Sequence, residues 1–244
     1  GMMSLTESGG GSDPIANMKT TARRDGDTYR INGSKMWASM ANETDVGVLL
    51  AKTDPDAGAK GISAFIVEPK KYPGFEARPI EMIGLSKALR TNEVSLEDFV
   101  VPVENRLGEE GDGLKIVMRA LQPGRVTVAA KALGVARACF EEAVRYANER
   151  ELRGQPIGKF QMIQSDIAEM AVAIEASRAL VYRAAQFMDA DLPSNRIAAL
   201  AKYHASQTAK RCADKAQQVF GGYGLALEYR VSWLKSYADL FFTG

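Results

Sequence analysis

Three consecutive glycines, Gly9, Gly10 and Gly11, stand between the hydroxyl residues Thr6 and Ser8 and a third hydroxyl at Ser12, with Glu7 and Asp13 beside them. Backbone without a Cβ lets N–H groups approach a ligand closely, and short hydroxyls can bond its polar edge. Trp37 offers a broad apolar ring on a predicted strand, and Arg150 a cation ahead of a predicted helix. The rigid fork of donors on an arginine suits phosphate oxygens. Each feature alone is ordinary, since a glycine-rich loop is mostly a surface loop and a strand tryptophan is mostly core. Other chemistries are excluded more firmly. His204 is the only histidine, so neither a Ser-His-Asp relay nor a histidine-rich metal site is available. Cys139 and Cys212 fall in alanine-rich helical stretches and read as small buried hydrophobes, not as a disulfide or metal pair. With 31 Lys and Arg against 30 Asp and Glu, the chain has no basic field for nucleic acid or an anionic membrane.

Two kinds of element must position these residues. Up to about residue 110, alternating or β-branched runs at Thr28–Trp37, Val46–Ala51, Ile62–Glu68 and Glu93–Val101 predict strands, separated by turn formers such as Asp25-Gly26-Asp27 and Pro73-Gly74. Such spacing predicts a compact antiparallel barrel or sandwich. Beyond it, Leu114, Val117, Met118 and Leu121 recur at helical spacing, as do Ile163, Ile167, Met170 and Ile174. Pro193-Ser194-Asn195 opens a further helix that Gly221-Gly222 closes with left-handed residues, and Pro123-Gly124 predicts a kink or break in the first long helix. The expected fold is therefore α+β and multidomain: an antiparallel β-barrel over residues 1–110, then an antiparallel four-helix-type bundle over 111–244. The helices at Gln161–Phe187 and Pro193–Phe220 carry more apolar surface than the chain can cover, which predicts a homodimer or homotetramer. Apolar runs are too short to span a bilayer, and with no signal peptide the expected compartment is the cytoplasm. Gly1 before Met2 reads as a cloning remnant.

In order along the chain, Leu5-Thr6-Glu7-Ser8-Gly9-Gly10-Gly11-Ser12-Asp13, Ile31-Asn32-Gly33-Ser34-Lys35-Met36-Trp37-Ala38-Ser39, Glu97 to Pro102, Arg150 to Gly154 ahead of Phe160-Gln161, and Gln218 to Gly224 resemble the signature segments of acyl-CoA dehydrogenases. The resemblance covers nearly the whole chain and implies a flavin adenine dinucleotide (FAD) site. It places Leu5, Thr6 and Ser39 at the ring's polar edge, Trp37 against the ring and Ser12 at the pyrophosphate. Arg150 would reach a partner subunit's pyrophosphate, and Gln161, Gln218, Gly221 and Gly222 the rest of that cofactor. Ser12, Gln122 and Arg125 would touch the acyl-CoA substrate.

The reaction implied is α,β-dehydrogenation of an acyl-CoA thioester, with an electron-transfer flavoprotein as the expected partner. By the family's spacing, the catalytic Glu falls directly after Gly244. The alternative slot for a base before Arg125 is filled by Gly124, and Glu7 matches a structural Glu. No catalytic residue is therefore assigned within the chain, which reads as a truncated form lacking its base and an amino-terminal helical domain. Two departures weaken the match: Leu152 where a hydroxyl residue is frequent, and Arg153 where an aromatic is. Two alternatives stand beside this reading: a flavin monooxygenase or nitroalkane-oxidase-like relative on the same fold, and a non-catalytic oligomerisation module.

Overall fold

The structure, a computed structural model, describes residues 1–83 and 90–243. The chain divides into two compact units, residues 1–120 and 121–244. It is an α+β chain in which a sheet is followed by a helical bundle.

In the first unit eight strands form one sheet: β1 Met2–Ser4, β2 Thr21–Asp25, β3 Thr28–Ser39, β4 Gly47–Lys52, β5 Ile62–Val67, β6 Phe75–Pro79, β7 Thr91–Pro102 and β8 Arg106–Leu107. The hydrogen-bonded order is β6-β7-β3-β2-β4-β5-β8, with β1 beside β4. The four predicted strands are present, at or within two residues of their expected ends. β3 and β7 largely alternate, while β4 and β5 are buried on both faces; the shared core is built on Tyr29, Ile31, Leu49, Phe65, Phe99 and Val101, all nearly or fully buried. Each such side chain contributes about 1.5–3 kcal/mol on burial. Tyr29 meets Phe65 edge-on at 4.9 Å.

Pairing is not purely antiparallel. β2 touches β4 only at Thr21↔Lys52, in parallel, and β1 runs parallel to β4 over Met2↔Gly47 to Ser4↔Leu49. With so little of β4's edge taken by β2, β1 satisfies the backbone groups that would otherwise stay unpaired. Nor is the unit free of helix, as a four-residue α1 at Pro14–Asn17 and a short 3₁₀ turn at Gly58–Gly61 interrupt the loops.

Two irregularities bend the β3–β7 pair. Between Ile31↔Phe99 and Gly33↔Leu96 there is an extra residue on β7, with Asp98 at φ 47°. Asn32 bridges this bulge, donating to Asp98 Oδ1 and accepting from Asp98 N, each at 2.8 Å. Between Lys35↔Val94 and Ala38↔Asn92 the extra residue is on β3, and Trp37 there has φ 62°. One added residue reverses which face the following side chains occupy.

The second unit contains the helices α2 Gly113–Glu149 (from residue 121 onward), α3 Gln161–Asp189, α4 Asn195–Phe220 and α5 Arg230–Thr243. Their core is rich in alanine, including Ala129, Ala136, Ala143, Ala205, Ala209 and Ala213, so the backbones can pack closely. Of the expected kink or break at Pro123, the break does not occur: α2 continues through it as one helix. A proline inside a helix costs about 3 kcal/mol, and burial of the face from Val126 to Ala147 outweighs it. α4 starts at Asn195 and ends at Phe220 as expected, but only Gly221 is left-handed, with φ 61°, while Gly222 is not. His204 Nδ1 lies 2.9 Å from Ser177 Oγ, which also donates to Thr208 Oγ1 at 2.9 Å. The sole histidine thus belongs to a polar pocket of the bundle interior.

Cys139 and Cys212 are buried and unbridged. Desolvation pushes both thiols up to about 12. Neither should form appreciable thiolate at pH 8, so titration of the native protein with a disulfide reagent should be silent until denaturant is added. Prompt reaction of either thiol in the folded state would contradict their placement.

Candidate functional site

The glycine segment is held from within by Glu7. Its carboxylate accepts from Lys19 N at 2.7 Å, Thr20 N at 3.1 Å, Thr20 Oγ1 at 2.6 Å and Lys35 Nζ at 2.8 Å. Lys35 is fully buried and Glu7 is 7% exposed. Lys35 Nζ also donates to Leu5 O at 3.2 Å, and Met36 N to Thr6 O at 2.9 Å. Burial works against charge on both partners. For Glu7, desolvation raises the carboxyl, yet the donors from Lys35, Thr20 and Lys19 together hold it below the usual carboxylate range. For Lys35, desolvation lowers the ammonium further than Glu7 restores it. Glu7, a spare carboxylate in sequence, is thus structural.

The sign of the pH effect follows. A carboxyl depressed in the fold stabilises at pH values above its unfolded pKa, and that contribution is lost as pH falls through the folded value. Stability should therefore drop below about pH 4.5, and Glu7→Gln, weaker at neutral pH, should lose less between about pH 6 and pH 3. Denaturant midpoints across that range decide it: parallel curves for the two proteins would remove Glu7 from the acid response.

Outward from this anchor the site residues are exposed. Trp37 is 53% exposed, because the β3 bulge carries it off the face where strict alternation from Lys35 would place it. Ser39 pairs with Thr91 at the end of β3 and is exposed, as is Ser12, while Thr6 and Leu5 are half-buried. Among the described residues no hydroxyl of Thr6, Ser12 or Ser39 has a protein partner. Beneath this edge the fully buried Asn92 donates to Ala38 O at 3.1 Å and Arg90 O at 3.2 Å, while its own Oδ1 is unpaired, as is Asn42 Oδ1. Lys35, Thr20 and Asn92 were not picked out from sequence, although a lysine at a buried register position of an alternating strand is itself a signal.

In the second unit Arg150 follows α2, exposed, with its guanidinium 5.8 Å from the centroid of Tyr223. Beyond it, β9 Glu151–Leu152 and β10 Gln155–Pro156 form a small ribbon turned by Arg153 at φ 54° and Gly154 at φ 76°. Two successive positive φ values define a tight hairpin turn that favours glycine at its second position. Gln161 opens α3 and Gln218 lies in the last turn of α4, both exposed. Arg125 is half-buried, while Gln122 Nε2 donates to Ser194 Oγ at 2.9 Å, next to the start of α4. Gln122 is therefore engaged within the bundle.

The glycines test whether a large planar cofactor fits. A Cβ on Gly9, Gly221 or Gly222 would meet nothing within 4 Å, and Gly9 and Gly222 have no left-handed φ. At those two positions neither packing nor backbone conformation within the chain calls for glycine, leaving space that a closely approaching ligand can use. In the first unit, hydroxyls without a partner among the described residues stand with an exposed indole; in the second, Arg150 has no acid partner among the described residues. The described residues hold no grouping of three metal-binding side chains, and no helix is long and apolar enough to cross a membrane.

Comparisons with known proteins point the same way. Residues 2–99 match the acyl-CoA dehydrogenase middle domain and residues 111–240 its C-terminal domain. A glutaryl-CoA dehydrogenase of Desulfococcus multivorans is 43% identical over 233 residues, 95% of this chain and 59% of that protein. A short-chain-specific acyl-CoA dehydrogenase of Clostridium acetobutylicum is 44% identical over 231 residues, 95% of this chain and 60% of that one. The butyryl-CoA dehydrogenase structure from Megasphaera elsdenii superposes with a TM-score of 0.94 at 40% identity, covering 98% of this chain and 62% of its own. The chain thus spans about three-fifths of these relatives. By its matched domains and its relatives, the chain belongs to the acyl-CoA dehydrogenase family.

Proposed function

We propose that this protein is an FAD-dependent acyl-CoA dehydrogenase, with residues 1–110 as the middle domain and 111–244 as the C-terminal domain. The observation that carries the proposal is the β3 bulge, which holds Trp37 exposed at φ 62° two residues before the exposed Ser39. A broad apolar face beside a hydrogen-bonding edge is what a flavin ring requires, since each buried unpaired ring atom would cost roughly 1–3 kcal/mol. Bound FAD would accept the hydride that leaves the carbon β to the thioester carbonyl. Trp37 packs on the ring, Thr6 and Ser39 bond its edge with the Leu5 backbone beside them, and Ser12 reaches the pyrophosphate. Arg150, Gln161, Gln218, Gly221 and Gly222 bind the cofactor of a second copy.

For the substrate, Arg125 and Ser12 are the contacts, and Gln122 can offer only the part of its amide that Ser194 does not use. The proton on the α carbon needs a carboxylate base, which typically accelerates such a step by about two to four orders of magnitude. Gly124 leaves the α2 slot without one and Glu7 is committed to Lys35, so the base is assigned to neither. Exposed Val172, Tyr182, Leu200 and Tyr203 on α3 and α4 support assembly into a homodimer or homotetramer. An electron-transfer flavoprotein is the proposed partner: one relative, 42% identical, is the caffeyl-CoA reductase-Etf complex subunit CarC of Acetobacterium woodii.

The test is equilibrium dialysis against FAD, followed by anaerobic addition of butyryl-CoA and glutaryl-CoA with the flavin spectrum recorded. Saturable FAD binding is expected, with no bleaching of the flavin by either thioester, because no base for the α proton is assigned within the chain. A protein that retains no FAD overturns the proposal and leaves the oligomerisation module, whereas rapid bleaching by either thioester would show that a residue of this chain serves as the base.

A further inference from the structure

Two opposite charges buried together are not needed to hold a loop against a sheet, since an apolar pair of similar volume often stabilises as well or better. What the Glu7–Lys35 pair does, and an apolar pair could not, is fix polar groups of the backbone. Lys35 Nζ divides its donors between Glu7 Oε1 at 2.8 Å and Leu5 O at 3.2 Å. Glu7 in turn gathers Lys19 N, Thr20 N and Thr20 Oγ1. The next carbonyl along, Thr6 O, is held by Met36 N at 2.9 Å, inside the β3 bulge. The carbonyls of Leu5 and Thr6 are thus both drawn onto Lys35 and Met36, the two residues that lead into the left-handed Trp37. Loop and bulge share one set of bonds.

We propose that Glu7 and Lys35 are positioning residues that lock the Leu5–Gly11 backbone to the β3 bulge, so that the Thr6 hydroxyl and the Trp37 indole face the flavin as one preorganised surface. This rests on the FAD reading above. Binding groups held in place before the ligand arrives spare the cost of ordering them afterwards.

The experiment compares the parent protein with Glu7→Gln, Lys35→Met and the double variant E7Q/K35M. Three quantities are read: FAD affinity by equilibrium dialysis, denaturation midpoint, and hydrogen exchange at the Met36, Lys19 and Thr20 amides. Each single variant should lower the midpoint and weaken FAD about tenfold. The double variant, with no charge left unpaired, should recover much of the midpoint while FAD stays weak and Met36 exchanges fast. A double variant that regains both stability and parental affinity would overturn the proposal, because the pair would then act on stability alone. Unchanged Met36 exchange in Glu7→Gln would overturn it too, and that arm needs neither flavin nor the double variant. If the parent binds no FAD, the cofactor reading and the flavin-facing role both fail, while exchange still reports whether the pair sets the segment.

Discussion

Gly33→Ala should cost roughly 3 kcal/mol or more, one of the largest losses available from a single added methyl group in the sheet. Gly33 has φ 146°, and a Cβ there would lie 2.6 Å from both Thr20 Cα and Thr20 Oγ1. The first of these is backbone and cannot swing aside. The second is the hydroxyl that donates to Glu7, so relieving the clash would also dislodge the donor nearest that carboxylate. A control isolates the steric part: Gly26, at φ 60° in the β2–β3 turn, has nothing within 4 Å of an added Cβ, and its alanine variant should lose only about 1 kcal/mol. Chemical denaturation of both variants is the measurement. Equal losses would mean that β3 yields at Gly33 and that the close approach to Thr20 matters little.

Arg150→Ala should weaken FAD binding roughly a hundredfold while leaving riboflavin binding unchanged, because only the larger molecule carries the pyrophosphate. The side chain is exposed, meets no carboxylate among the described residues, and is steadied by the Tyr223 ring 5.8 Å away. Its donors therefore remain available to an incoming anion. Arg150→Lys should fall between parent and alanine, since an ammonium keeps the charge but not the fork of paired donors. Dialysis with both flavins checks it; equal weakening for riboflavin would move Arg150 from the pyrophosphate to the ring or to the fold itself.

What could be read in sequence follows from how each element is stabilised. The longer strands were legible because alternating Tyr29 and Ile31, or Val94 and Leu96, face a core. β2, with Ala22 as its one buried residue, and the edge strand β6 carry too little apolar pattern to announce themselves, and β1 is only three residues long. α5 at Arg230–Thr243 was also not foreseen; Val231, Leu234 and Ala238 bury one face of it, but Tyr229, the residue before it, is not a capping type. Thr6, Trp37, Ser39 and Arg150 stood out through the order of the motifs they belong to. Lys35 and Thr20 did not, because their importance lies in which backbone groups they hold, and a bulge that shifts register cannot be counted from spacing alone. At Pro123 the local preference for interrupting the helix did not end it, because the alanine-lined core holds α2 together on both sides.

The chain contains only two tryptophans, Trp37 and Trp233. Trp233 spends its indole N–H on Leu227 O at 2.7 Å, while Trp37, exposed on its bulge, has no hydrogen-bond partner among the described residues. The two rings therefore occupy different surroundings, and a Trp233→Phe protein would carry a single emitter at the very point where the flavin is proposed to rest. Energy transfer from that indole to a bound isoalloxazine would dim its ultraviolet emission, giving the protein a built-in optical gauge of cofactor occupancy that needs no label.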